Sequence, residues 1–240
     1  MTNRFRTVPQ GAHTIVALLL ATVCALAPSW RAVAHENQAW LKFSGEHEPF
    51  ANGCYLSVEQ ELKFDRDRMV DEETLMLVGY SFCPYFKAAI GHRIVRERKP
   101  DERHFRTEQR QTTDFNFYAP EFLTLKFDFR SRFELRDKHH AQVHMRYRER
   151  LRLRTSWSIT DFKISPYLSE EIFLSDEPKA DDSDIFDRTR TAIGLTFKPI
   201  PSCANVSCNL YYLIQHDKED SSSSSWCDTN VCGFELACSF

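Results

Sequence analysis

The sequence predicts an all-β fold: a transmembrane, antiparallel up-and-down β-barrel that follows a cleaved export leader. Three observations carry this. Amphipathic segments of period two recur along the chain, and they exceed the five or six residues of an ordinary globular strand. Short connections alternate with longer polar ones, as in barrels of outer membranes. The last strand ends the chain on an aromatic residue, in phase with Cys232, Phe234, Leu236 and Cys238.

Residues 1–34 read as the leader. Arg4 and Arg6 give it a basic start, Ile15–Pro28 is apolar, and Ala32-Val33-Ala34 is a small-x-small site that places cleavage before His35. The leader carries three arginines and no acid, so its removal takes the formal net charge from −3 to −6. No later segment holds eighteen consecutive apolar residues, which excludes a transmembrane helix there.

Residues 35–52 form an N-terminal segment in which Ala39–Ser44 (AWLKFS) has room for an extra strand, and 53–240 form the barrel. Ten strands are expected, at 53–64, 73–82, 85–97, 107–118, 122–136, 142–155, 159–174, 185–198, 203–216 and 230–240. Twelve is the alternative, because adding Ala39–Ser44 calls for one more strand to keep the count even. With ten, both barrel ends lie on the side of the short turns, near Cys83-Pro84, Ala119-Pro120, Ser156-Trp157 and Pro199-Ile200-Pro201. The longer connections are expected at 65–72, 98–106, 137–141, 175–184 and 217–229.

The two faces of these strands differ sharply. In Phe122–Arg136, Leu123, Leu125, Phe127, Phe129, Phe133 and Leu135 share one side, with Lys126, Asp128, Arg130, Arg132, Glu134 and Arg136 on the other. In Gln142–Thr155, Val143, Met145, Tyr147, Leu151 and Leu153 oppose Arg146, Arg148, Arg150, Arg152 and Arg154. An arginine facing lipid near the midplane costs about 2–4 kcal/mol. Five in one phase therefore require an enclosed interior. Only a closed barrel supplies one in lipid while satisfying every backbone group.

A ten-stranded barrel is narrow and largely filled by side chains. The expected lumen charge network is Arg130, Arg132, Arg146, Arg148, Arg150, Arg152, Arg154, Arg188 and Arg190, set against Glu59, Glu61, Asp128, Glu134 and Glu171. It reads either as a rigidifying lattice or as an anion-attracting pathway. Glu149 breaks the pattern by falling in the lipid phase, and is expected to be protonated or partnered on a neighbouring strand.

Seven cysteines follow the leader. Export permits disulfides, with Cys203, Cys208, Cys227 and Cys232 as candidates, and the odd count leaves at least one free thiol or an intermolecular bridge. No CxxC occurs and no histidine stands at zinc-ligand spacing, so no metal or other cofactor is expected. The terminal Phe240, in phase with Phe234 and Leu236, resembles the signal read by the barrel-assembly machinery.

Three stretches carry a resemblance: YLSVEQELKF at 55–64, the run from Phe122 to Arg154, and ISPYLSEEIFL at 164–174 followed by FDRTRTAIGLTFKP at 186–199. Trp40 precedes Glu59-Gln60-Glu61. Arg146, Arg148 and Arg150 follow, then Pro166, Tyr167, Glu171 and Phe173, then Phe186, Arg188 and Arg190. In that order they resemble the bacterial outer-membrane β-barrel family called domain of unknown function 2490 (DUF2490). The resemblance implies a barrel in the bacterial outer membrane, and the family lends no chemistry.

A barrel without a catalytic site is therefore expected, structural, surface-interacting or porin-like with an arginine-rich lumen. Its partners are outer-membrane lipid and lipopolysaccharide. Nucleic acid is excluded by the strict period of the arginines and by export. One alternative is a rim hydrolase built from Asp71, Glu72, Asp181, Asp182, Asp184, His139, His140, Asp217 or Glu219, or from the lipid-phase His92 and His216, although no GxSxG accompanies them. The other is a soluble periplasmic β-sandwich with its charges in water.

Overall fold

Each long segment of period two forms a strand, and the strands pair in chain order until the sheet meets its own edge. The structure, a computed structural model, describes residues 37–48, 52–66, 68–98, 104–122, 124–138, 142–155, 157–159, 162–177, 185–199, 205–218 and 226–240. The leader with its cleavage site, Cys203, His139, His140, Asp181, Asp182, Asp184 and Glu219 lie outside the described residues.

The strands are β1 (Asn37–His47), β2 (Cys54–Asp65), β3 (Arg68–Cys83), β4 (Phe86–Glu97), β5 (Arg106–Tyr118), β6 (Leu125–Lys138), β7 (Val143–Thr155), β8 (Trp157–Ile159), β9 (Phe162–Ser175), β10 (Phe186–Phe197), β11 (Val206–Lys218) and β12 (Trp226–Ser239). β8 is a three-residue arm paired with the start of β9. Among the described residues the other eleven form a closed up-and-down wall, in which β7 pairs β9 and β12 returns to β1. Neighbours pair antiparallel except at the closure, where β1 and β12 run parallel from Asn37↔Asn230 to Glu46↔Ser239.

Eleven strands replace the expected ten or twelve. An even count is needed only when the first and last strands close antiparallel. A parallel ladder also satisfies the backbone, through evenly spaced, slanted hydrogen bonds. The AWLKFS stretch therefore joins the wall as part of β1 without a twelfth strand. As a result, Asn37 and Phe240 lie at opposite ends of the barrel rather than on one side.

Two further boundaries differ. Residues 65–72 are not a long loop. The chain turns at Arg66, whose φ of 57° is left-handed, and Asp71, Glu72 and Glu73 enter the ladder opposite Lys63, Leu62 and Glu61. Nor does β6 start at Phe122. Phe122 and Leu125 exchange backbone hydrogen bonds of 3.0 and 2.8 Å around Thr124, whose φ is 75°. The β10–β11 connection, expected to be short, spans the eight residues 198–205, so the two ends contrast less than expected.

The burial is inverted relative to a water-soluble domain. Among the described residues, 21 buried side chains are polar or charged and 14 are hydrophobic; Arg132 heads the largest fully buried ones. Phe127, Phe129, Phe133, Leu135, Met145 and Leu151 are exposed. An apolar band this extensive on a monomer's surface signals a surface meant to be covered. Near one end it includes stacked rings, with Phe86 centroids 5.2 Å from Phe82 and 4.9 Å from Phe117.

Candidate functional site

Strand register decides which charges meet. On the inward face, Arg130 of β6 stands opposite Arg150 of β7, which stands opposite Glu171 of β9, which stands opposite Arg190 of β10. One level away, Asp114 of β5, Arg132 and Arg148 share a row. Each strand thus delivers one charge per two residues, about 6.6 Å apart along the strand.

Two carboxylates gather most of this charge. Glu134 is fully buried, and its Oε2 accepts from Arg146 Nε at 2.8 Å and Nη2 at 2.5 Å. Its Oε1 accepts from Arg148 Nη1 at 3.1 Å. Glu171 Oε1 accepts from Arg130 Nη2 at 2.7 Å and Arg148 Nη2 at 3.1 Å, and its Oε2 lies 3.8 Å from Arg190 Nη1. Asp114 holds Arg132 through two parallel bonds of 2.5 Å. Such bidentate, charge-assisted bonds are about twice as strong as neutral ones, which offsets part of the cost of burying the ions.

Phe173 sits at the hub, 1% exposed, with the guanidinium carbons of Arg146, Arg148, Arg188 and Arg190 4.6–5.6 Å from its ring centroid. Trp40 likewise lies beneath Lys63 and Arg190, each at 4.8 Å. Rings in the inward phase let cations stack where no further acid fits.

The remaining expected members also face inward. Arg154 pairs with Asp128 at 2.8 Å, Glu59 with Lys42 at 2.9 Å, Glu61 with Lys63 at 3.4 Å, and Arg188 with Asp217. The sequence reading missed Lys42, Lys63, Glu73, Arg93, Glu108, Arg110, Asp114 and Glu235. On β5 the outward residues Gln109, Gln111 and Thr113 are themselves polar and only Phe115 and Phe117 at its end are apolar, which leaves the phase of Glu108, Arg110 and Asp114 weakly marked.

These side chains surround a cavity of about 190 Å³ lined by thirteen cationic and seven acidic residues. Eleven of the thirteen cations have a carboxylate within 4.0 Å among the described residues; Arg150 and Arg152 do not. The Nε donors of Arg130, Arg148, Arg150 and Arg152 are buried without a hydrogen-bond acceptor. Each such donor costs about 1–3 kcal/mol until something accepts from it.

Of the expected rim acids, Asp71 lines the cavity and pairs with Lys63 at 3.0 Å, while Glu72 faces outward and pairs with Arg96 at 2.9 Å. His92 Nδ1 meets Gln111 at 3.2 Å, and His216 Nδ1 meets Asp228 at 2.6 Å, both on the outward face. Glu149 also faces outward, across from Ser131 and Ile172. Cys227 and Cys232 share β12 five residues apart, about 16 Å at strand rise, beyond the reach of a disulfide with each other. Phe234 and Leu236 are buried and Phe240 is 76% exposed.

A family model described as protein of unknown function (DUF2490) matches residues 37–225. A solved structure of the NanC porin, in a rhombohedral crystal form, aligns with a TM-score of 0.44 and 12% identity over 78% of this chain and 86% of that chain. No curated protein matches the chain.

Proposed function

The chain belongs to the DUF2490 family, and from that premise we propose that it is an integral barrel of the bacterial outer membrane, without catalytic role, whose lumen serves as a narrow anion-favouring pore. The carrying observation is the inside-out partition. Apolar and aromatic rows face outward around the wall, and a cation-rich cavity is enclosed by it. The outward rows suit acyl chains, and the stacked rings beside Phe86 suit an interfacial girdle. Lipopolysaccharide would contact the exposed rim, and the barrel-assembly machinery would read the strand ending at Phe240.

The ion pairs of Asp71, Glu72 and Asp217 favour a scaffolding role for these acids over rim catalysis. The test combines fractionation with electrophysiology. The protein should band with outer membranes, migrate faster on gels before boiling than after, and give small, anion-preferring conductance steps in planar bilayers. Recovery from the soluble periplasmic fraction would overturn the membrane reading. A folded barrel without conductance would overturn the pore.

A further inference from the structure

Arg150 and Arg152 are the cations that the lumen network leaves over, and register explains why. Asp128 stands opposite Arg152, but its carboxylate is taken by Arg154 through contacts of 2.9 and 2.8 Å. Glu171 stands opposite Arg150, but its Oε1 is taken by Arg130 and Arg148. The other neighbour of Arg150 is Arg130, a like charge. At the level of Arg152 the next strands offer Ser169, Ala192, Leu213 and Val231, none of them charged.

Both side chains line the cavity, and the Nε of each is a buried donor without an acceptor. Tyr167 supports Arg152 from below, with its ring centroid 4.8 Å from the guanidinium carbon, so the fork is held rather than free. Ser169 adds a buried hydroxyl beside it. Two adjacent planar forks with free donors suit a ligand that presents two or more oxygens in a fixed array.

We infer that Arg150 and Arg152, with Ser169 and the stacked Tyr167, form a binding site in the lumen for a small oxyanion, a phosphate- or carboxylate-bearing solute. The site sits midway along the wall, where a permeating anion would rest between the two mouths. This rests on the reading of the lumen as a pore, but the site makes a separate claim about binding.

The experiment uses the full barrel in planar bilayers in potassium chloride, with inorganic phosphate or acetate added as probe. Phosphate should reduce the chloride current, and the concentration for half-block should rise by about tenfold or more in R150Q/R152Q, which removes both charge-assisted forks. R150K/R152K, which keeps the charges but not the forks, should fall between. K126Q, a cation outside the cavity, should leave the block unchanged. Block by phosphate alone assigns the site to phosphate solutes, and block by acetate as well assigns it to oxyanions in general. Equal block in wild type and R150Q/R152Q would overturn the site. Should the barrel be silent, the pore fails separately. The site is then read by the rise that phosphate gives in the temperature of the gel-mobility transition, where no rise, or the same rise in the variant, overturns it. Should R150Q/R152Q fail to fold, R150K/R152K decides by the same readouts.

Discussion

Tyr55 lies flat across Gly79, its cross-strand partner on the inward face of β2 and β3. A methyl group built on Gly79 would come within 2.5 Å of both Cε1 and the hydroxyl of that ring, so the tyrosine occupies the space a side chain would need. Tyr167 over Gly194 and Tyr211 over Gly233 repeat the arrangement. Tyr167 and Tyr211 line the cavity, with Tyr167 beneath Arg152. Folding a large ring onto a glycine keeps it against the wall and out of the passage.

Gly79→Ala should therefore destabilise the barrel by about 1–3 kcal/mol, the usual cost of overpacking. Tyr55→Ala should lose packing and the Lys87 ammonium stacked 4.8 Å from the ring centroid. The double variant should be less damaged than the sum of the two, because the clash requires both groups. Urea unfolding in lipid vesicles, arranged as a double-mutant cycle, checks this; strict additivity would show that ring and glycine do not meet.

Glu134 accepts from Arg146 and Arg148 while fully buried, with Arg93 at 4.0 Å and Arg110 at 3.9 Å. Removing its charge strands several guanidiniums at once. Breaking a buried ion pair from one side costs about 3–5 kcal/mol, so Glu134→Gln should lower stability by at least that range or prevent assembly. Lys126→Gln, at an exposed pair 3.0 Å from Glu121, should change stability by less than about 1 kcal/mol. The same unfolding measurement ranks the two, and a ranking in reverse would refute the buried network as a source of stability.

The legible parts of this fold are those where one face is apolar. β6, β7 and β10 show an outward row of Phe, Leu or Ile against inward charge, so their phase and the inward direction of Arg146–Arg154 follow from sequence. Over its first half β5 is polar on both faces, with Phe115 and Phe117 marking the outward phase only near its end, and Asp114, which holds Arg132, is hidden there. The parallel closure leaves no local mark, because the sequence of β1 does not say which edge it meets. The unmatched state of Arg150 and Arg152 is equally non-local. It depends on Arg154 reaching Asp128 and Arg148 reaching Glu171, which only the register fixes.

The closure itself is open to a direct chemical check. Ala39 is the register partner of Cys232 across the parallel pair, and both face outward. In an Ala39→Cys variant, a short thiol-reactive bifunctional cross-linker such as a bis-maleimide should join position 39 to Cys232, read by mass spectrometry of the linked peptides. A ten-stranded wall that leaves β1 unpaired would give no such link, and a twelve-stranded wall would place another strand between the two.

Glu149 gives the last test, because it sits on the outward face between Tyr147 and Leu151. Its cross-strand neighbour Ser131 donates to the Tyr147 hydroxyl at 3.0 Å, and the glutamate's Oε2 is buried without a hydrogen-bond partner. On a lipid-facing wall a carboxyl group there would be desolvated by acyl chains without a cation to answer it. If that face meets lipid, Glu149→Leu should stabilise the barrel by about 1–2 kcal/mol, less than the penalty of a lipid-facing arginine because acids cost less. In water the same change would add an exposed leucine and gain little. Unfolding in vesicles compared with detergent therefore reports which surroundings the face has. An unchanged or lowered stability in vesicles would show that β7 does not face hydrocarbon at this depth.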